Sequence, residues 1–238
     1  MGALAPDWLN RIYSTGHGRT LVIQQEGLAG VAPDGVRPLL ANPPGDAPTS
    51  REQLKITAMA ENRAGEGLAA VFGPPALEGL WEWGAGRRAE RVMKGASLPV
   101  AALDVAPSGD ALVALSSGAI LLRSRGVWQL RTNPPFPLRA ARRLRFRENG
   151  DLWVSSPAGL CLHKSSSGRW VKANLPGENL WSRVNEILET RRGETWLATS
   201  RGLLVRDRVG RYRAIRQAAG FEFVILTGLA EESVCWSR

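Results

Sequence analysis

Residues 144–154 read LRFRENGDLWV and residues 187–197 read ILETRRGETWL, so one order of apolar, charged, Gly and Trp positions occurs twice. A third copy, LDVAPSGDALV, occupies residues 103–113. Each copy has a turn glycine and a second glycine nine residues later, with spacings of 41 and 43 residues between copies: Gly109, Gly150 and Gly193, then Gly118, Gly159 and Gly202. One period held by two landmarks through three copies predicts a true structural repeat.

Each copy is interpreted as four short antiparallel strands. In the copy around Gly150, an alternating run (Leu144, Phe146) leads into a turn, and an apolar strand follows at 152–155. After the turn at Gly159, strands are predicted at 160–163 and from Trp170 onward. Four strands in about 42 residues are typical of a β-propeller blade. Gly and Pro recur inside every copy, which disfavours helical repeats of similar length.

The whole chain, residues 1–238, is predicted to be one all-β propeller of about five blades and a partial one. A weaker copy places Gly67 at the position of Gly109, 42 residues earlier, and a degenerate first copy lies between Gly16 and Val36. The chain stops shortly after Trp236, so we expect a fragment of a larger propeller. The approximate blades are 10–50, 51–98, 99–138, 139–180, 181–222 and the partial 223–238.

Composition is that of a globular protein with an arginine-rich surface. Hydrophobic residues make up 44% of the 238 residues, and no apolar run reaches the roughly 20 residues of a membrane helix. The N-terminal residues show no signal-peptide pattern. The net charge of +9 comes from 27 Arg and 4 Lys against 22 acidic residues. This charge suits an anionic partner, or an Arg-rich surface with no special role; nucleic acid is a minor alternative, suggested by charge alone.

The residues 175–203, LPGENLWSRVNEILETRRGETWLATSRGL, resemble the two-component regulator propeller repeat. The similarity is close in this copy, good in the one around Gly150, partial around Gly109 and poor before residue 95. It implies a ligand-sensing propeller of a bacterial signalling receptor, located in the periplasm or outside the cytoplasm. It also implies a downstream output domain, such as a histidine kinase, whose motifs are not readable in this sequence.

Groups able to carry catalysis are sparse, and the sequence predicts that this chain is not an enzyme and needs no cofactor. His17 and His163 are the only histidines. Cys161 and His163 share one face of a predicted strand, but without further ligands packing is the preferred interpretation over a metal site. The other thiol, Cys235, is likewise expected to be a buried free cysteine. A propeller enzyme of the lactonase or lyase type and a protein-interaction scaffold remain the alternatives.

Two sets of residues form the predicted ligand site. Arg143, Arg145 and Arg147 alternate with Leu144 and Phe146 on the first strand of a blade, so the arginines share one side. The start of the next blade carries the second set, expected to be its spatial neighbour: Trp181, Arg183 and Asn185. Guanidinium forks and an indole face suit a small-molecule or carbohydrate ligand, especially an anionic one. A solvated Arg face is the competing interpretation.

The tryptophans that recur at one strand position are interpreted as core. Trp153, Trp196 and Trp236 occupy this position in successive copies, and Trp153 and Trp196 are predicted to be buried at equivalent places between blades.

Overall fold

The computed structural model describes residues 9–14, 20–24, 27–32, 35–41, 55–73, 75, 77–84, 87–94, 99–176, 183–190, 192–200 and 202–215. These residues form twenty strands in five antiparallel sheets of four strands each. In every sheet the strands pair in chain order, each with the next along the sequence. The predicted copies around Gly109, Gly150 and Gly193 each correspond to one sheet.

The chain divides into two compact units, and the described residues up to Val100 belong to the first. This unit holds two sheets. The first sheet consists of β1 (Leu9–Ser14), β2 (Thr20–Gln24), β3 (Gly27–Ala32) and β4 (Gly35–Ala41). The second consists of β5 (Lys55–Glu61), β6 (Gly67–Phe72), β7 (Gly79–Trp83) and β8 (Glu90–Lys94). Complete sheets therefore exist where the sequence resemblance to the repeat family is poor.

The second unit starts at Ala101 and holds the other three sheets. The third sheet consists of β9 (Val100–Val105), β10 (Ala111–Leu115), β11 (Ile120–Ser124) and β12 (Val127–Arg131). The fourth consists of β13 (Arg143–Phe146), β14 (Leu152–Ser156), β15 (Gly159–Lys164) and β16 (Arg169–Lys172). The fifth consists of β17 (Val184–Glu189), β18 (Thr195–Thr199), β19 (Gly202–Arg206) and β20 (Tyr212–Ile215).

Successive sheets of the second unit bury their apolar faces against each other. The core between the third and fourth sheets contains Leu112, Leu144 and Val154. The core between the fourth and fifth contains Trp153, Ile187 and Leu197. In the third and fourth sheets the second strand, which has a strand on either side, is buried at all five positions: β10 and β14. Burial on both faces explains why β10, with the sequence ALVAL, is a continuous apolar run.

The turns between first and second strands explain one part of the repeat and correct another. The N–H groups of Gly109, Gly150 and Gly193 each donate to the carbonyl three residues earlier, with φ between 73° and 84°. In the second sheet this role belongs to Gly65, whose φ is 77° and whose N–H donates to Asn62 O. The prediction that Gly67 is the equivalent turn glycine was therefore wrong by two residues.

Gly67 has a different role, set by packing. It is the first residue of β6, and a Cβ at this position would lie 2.2 Å from Cζ2 of Trp83. The indole of Trp83 is buried and donates a 2.8 Å hydrogen bond to Glu61 Oε2. Glycine is thus required because the Trp83 ring occupies the space of a side chain, not because the backbone turns there.

The fold is an all-β propeller architecture of successive four-stranded antiparallel sheets, as the repeat predicts. The described residues contain no α-helix; a short 3-10 turn at Leu138–Ala140 packs between the third and fourth sheets. Among the residues that the structure describes, no helix is long and apolar enough to span a lipid bilayer. The predicted partial blade, 223–238, lies outside the described residues.

Candidate ligand-binding site

Three arginines form a row along β13 and just beyond its end. Leu144 is buried, and both Leu144 and Phe146 pack against the core between the third and fourth sheets. The intervening side chains of Arg143, Arg145 and Arg147 keep 44%, 26% and 22% of their area exposed. The predicted alternation is therefore confirmed, and solvent reaches all three arginine side chains.

Acidic side chains from two neighbouring first strands lie beside this row. Arg145 Nη1 is 3.6 Å from Asp104 Oδ1 on β9. On the other side, Arg143 Nε is 3.7 Å from Glu186 Oε2 and Arg147 Nε is 3.2 Å from Glu189 Oε1, both on β17. These six residues are referred to below as the first-strand cluster: Asp104, Arg143, Arg145, Arg147, Glu186 and Glu189. The cluster alternates charges across three sheets of one unit.

Asp104 is the most buried carboxylate of the cluster, with a side chain only 3% exposed. Its Oδ2 accepts a 2.5 Å hydrogen bond from the backbone N–H of Phe146. Burial raises the pKa of Asp104 to about 6, although Arg145 and two backbone N–H groups act in the opposite direction. Desolvation of the charged form outweighs the nearby guanidinium, so this carboxyl takes up a proton just below neutral pH.

Arg145 is the least satisfied arginine of the row. Its pairing with Asp104 is longer than a hydrogen bond, and its Nε is buried without a hydrogen-bond partner among the described residues. Arg143, by contrast, donates a 2.9 Å hydrogen bond to Arg142 O. Arg147 Nε is likewise buried without a hydrogen-bond partner among the described residues, but it lies 3.2 Å from Glu189 Oε1, and Asp151 is 4.0 Å from Arg147 Nη1. Buried guanidinium N–H groups normally find acceptors, so the orphan Nε atoms of Arg145 and Arg147 are exceptions, and Arg145 has the longer contact with a carboxylate.

The second predicted set is placed only in part. Trp181 lies outside the described residues. Arg183 is exposed, immediately before β17, and Asn185 is half-buried at a register shift between Val184 and Glu186. This irregularity inserts one residue into β17, and Glu186 is the residue that lies against Arg143. Burial raises the pKa of Glu186, opposed by the N–H of Ile187 and by Arg143 and Arg145.

The buried end of the cluster is joined to a tryptophan. Trp153 is 2% exposed, and its indole N–H donates to Glu189 Oε1 on the next sheet. The prediction that Trp153 is buried between sheets is confirmed. For Trp196 the same prediction was wrong: it is only half-buried, and its indole N–H donates to Glu194 two residues earlier instead of to another sheet. Trp236 lies outside the described residues.

The Cys161 and His163 pair shows packing contacts. Both are half-buried on the same face of β15, while Leu160 and Leu162 are buried on the other. The His163 ring lies 4.8 Å from the Trp170 ring, and burial raises the pKa of the Cys161 thiol. No three His, Cys, Asp or Glu side chains within the described ranges are grouped to hold a metal ion. His17 and Cys235 lie outside those ranges.

The carboxylates of the first-strand cluster were missed by the sequence analysis, although the repeat contained a signal for two of them. Asp104 precedes Arg145 by 41 residues, and Glu186 follows Arg143 by 43, the spacings of the turn glycines. Residues one period apart occupy equivalent positions on neighbouring first strands. A search for opposite charges at these spacings would have found both pairs. Glu189 follows Arg147 by 42 residues, the approximate length of the repeat but one residue less than the 43 between the turn glycines of these two copies.

Comparison with known proteins supports the fold. No family model matches the chain, and no curated protein sequence matches it. A protein of unknown function from Bacteroides thetaiotaomicron is similar in structure, with a TM-score of 0.60 and 12% identity over 94% of this chain and 61% of that chain. Virginiamycin B lyase from Staphylococcus aureus gives a TM-score of 0.57 and 12% identity over 90% and 73%. These similarities agree with a β-propeller and, at such identities, show the fold alone.

The solved structures with a similarity also include a sensor protein. The extracellular domain of a hybrid two component system from B. thetaiotaomicron gives a TM-score of 0.43 and 11% identity. The match covers 87% of this chain and 35% of that domain. The overlap is too low to carry a functional argument. A shared fold does not by itself assign an activity to this chain.

Proposed function

We propose that this chain is a ligand-sensing module of a bacterial signalling receptor, and that its ligand is an anionic small molecule or carbohydrate. The observation that carries the binding part is the row of Arg143, Arg145 and Arg147, which share one side of β13 and remain in contact with solvent. Guanidinium groups bind carboxylates and sulfates through paired hydrogen bonds. Aligned arginines on rigid strands are therefore suited to an anion.

Arg183, Asn185 and Trp181 are included in the proposed site. Arg183 is exposed at the start of β17, the strand that contacts β13 through Glu186 and Arg143. Trp181 is two residues earlier in the sequence and is included for the affinity of indole for sugar rings. We infer that Arg183 adds a cation at the end of the row where Arg143, the most exposed of its arginines, lies.

The signalling part of the proposal rests on the resemblance of residues 175–203 to the two-component regulator propeller repeat. On this interpretation the ligand is met outside the cytoplasm, and the signal passes to an output domain elsewhere in the receptor. The chain itself then performs no catalysis. Ligand binding changes the free energy of this module, and an attached domain responds to that change.

A glycan and metabolite panel tests the proposal. Purified wild-type protein is titrated at pH 5.5 and pH 7.5 with neutral, sulfated and uronic-acid oligosaccharides. The same titrations are run on an Arg145→Ala, Trp181→Ala double variant and on Arg169→Ala, which removes an exposed arginine from β16 of the same sheet. We expect at least one acidic ligand to bind wild type and Arg169→Ala but not the double variant. Equal binding by all three proteins, or by none across the panel, contradicts the proposed site.

A further inference from the structure

The three arginines of the first-strand cluster differ in the hydrogen bonds and ion pairs that they form within the protein. Arg147 lies 3.2 Å from Glu189, and Arg143 both donates to Arg142 O and lies beside Glu186. The Nε atoms of Arg145 and Arg147 are both buried without a hydrogen-bond partner among the described residues, but Arg145 comes no nearer to a carboxylate than the 3.6 Å between its Nη1 and Asp104 Oδ1. Arg145 therefore has the weakest pairing of the three, and its partly exposed side chain can donate hydrogen bonds to a ligand.

Asp104 is the counter-ion of Arg145, but the two side chains are too far apart for a hydrogen bond. One oxygen, Oδ2, is held by the Phe146 N–H at 2.5 Å, while Oδ1 remains 3.6 Å from Arg145 Nη1. In this arrangement the Asp104 carboxylate does not form the two parallel hydrogen bonds of a guanidinium–carboxylate fork with Arg145. A ligand carboxylate that approaches from solvent, to which Arg145 is 26% exposed, is not held by the Phe146 N–H.

We propose that Arg145 binds the carboxylate of a uronic acid, and that this carboxylate replaces Asp104 as its counter-ion while Asp104 takes up one proton from solvent. This inference rests on the proposed function, because it names the chemical class of the ligand and the coupling of its binding to pH. The exchange conserves charge. One anion arrives, and one proton neutralises the anion it replaces.

The groups around Asp104 favour this exchange. Asp104 faces Arg145 of β13 and, more distantly, Glu186 of β17, whose negative charge further raises its pKa. Because the pKa of Asp104 is about 6, protonating its carboxylate near neutral pH requires little free energy. A singly charged carboxylate matches the charge given up by Asp104. A doubly charged phosphate would add a second negative charge close to Glu186, so the site favours the monoanion.

Calorimetric titration of galacturonate into the full chain at pH 5 and pH 8, with galactose as the neutral match, tests the exchange. The galacturonate carboxylate stays ionised over this range, so the pH dependence reports the protein. Above pH 6, the affinity of wild type should fall by about tenfold per pH unit, because each binding event takes up one proton. The same titrations in buffers of different ionisation enthalpy should show that uptake directly.

Variants then show which residue takes up the proton when galacturonate binds. Asp104→Asn keeps an oxygen for the Phe146 N–H and should bind galacturonate with the same affinity at both pH values. Arg145→Gln should lose binding at both, while Arg169→Ala should behave as wild type. A pH dependence that persists in Asp104→Asn, or that disappears only in Glu186→Gln, would overturn the exchange. Circular dichroism of each variant confirms that loss of binding is not loss of fold.

Failure of this inference differs from failure of the proposed function. If galacturonate does not bind wild type but a sulfated or neutral glycan does, in a manner lost with Trp181→Ala, the sensing function stands and the uronate exchange is wrong. If galacturonate binds with no proton uptake, the ligand class stands and the exchange is wrong. If nothing in the panel binds, both proposals fail.

Discussion

The indole N–H of Trp153 on β14 donates a 2.8 Å hydrogen bond to Glu189 Oε1 on β17, which joins the fourth sheet to the fifth. The same oxygen accepts a 2.8 Å hydrogen bond from the Thr195 hydroxyl, and Arg147 Nε lies 3.2 Å away. A single carboxylate thus satisfies polar groups from two sheets in a largely buried place. Buried polar groups are costly when unpaired, so this junction should be sensitive to small changes.

Trp153→Ala should lower the free energy of unfolding by about 3–5 kcal/mol, because it removes a large, fully buried side chain. Trp196→Ala should cost less, about 1–2 kcal/mol, since Trp196 is only half-buried. Urea denaturation of the two variants measures both values. Equal losses would show that the two tryptophans are equivalent after all.

Glu189→Gln should cost about 1–3 kcal/mol, because it removes the charge that faces Arg147 and disturbs the acceptor of Trp153 and Thr195. Glu90→Gln, at an exposed position on β8, is the control and should change stability by less than about 0.5 kcal/mol. In a double-mutant cycle with Trp153→Phe, which removes the N–H donor together with part of the indole ring, the two losses should be less than additive. Full additivity would mean that the hydrogen bond contributes nothing.

Gly67→Ala should destabilise the protein by about 1–3 kcal/mol, because its Cβ would overlap the buried Trp83 ring. Gly84→Ala is the control: the nearest atom to its Cβ would be Arg87 Cδ at 3.6 Å, an ordinary contact. Thermal unfolding followed by circular dichroism compares the two variants. A Gly67→Ala variant as stable as wild type would show that Trp83 can move aside at no cost.

Stability should depend on pH through Asp104, in a direction set by its raised pKa. Its pKa is about 6 in the folded protein against 3.8 for an ordinary aspartate, so the folded state binds the proton more tightly. Stability from this group is therefore fully present below about pH 4 and is lost as pH rises to about 6. The difference in unfolding free energy between wild type and Asp104→Asn should shift against wild type by about 3 kcal/mol from pH 4 to pH 7. A constant difference would place the pKa of Asp104 at its ordinary value.

Local chemistry explains what could be predicted from the sequence alone. The turn at Gly150 needs a positive φ, and the alternation of Leu144 and Phe146 with the arginines follows from the two-residue period of a strand. These constraints act over a few residues, so each copy reveals its own strands and turns. Their recurrence at one spacing then predicts the number and order of strands in each sheet.

Packing between sheets determined side-chain contacts that could not be predicted from the sequence. Nothing near Gly67 in the sequence shows that the Trp83 ring fills its side-chain space, and the one-residue irregularity in β17 puts Glu186, not Asn185, against Arg143. A one-residue shift turns a side chain to the other face of a strand, so simple alternation misplaces it. The row of arginines was determined by the sequence of β13. Its carboxylate partners, and the weak pairing of Arg145, were determined by the packing of β9 and β17 beside it. Contacts between sheets depend on the geometry of all three strands at once.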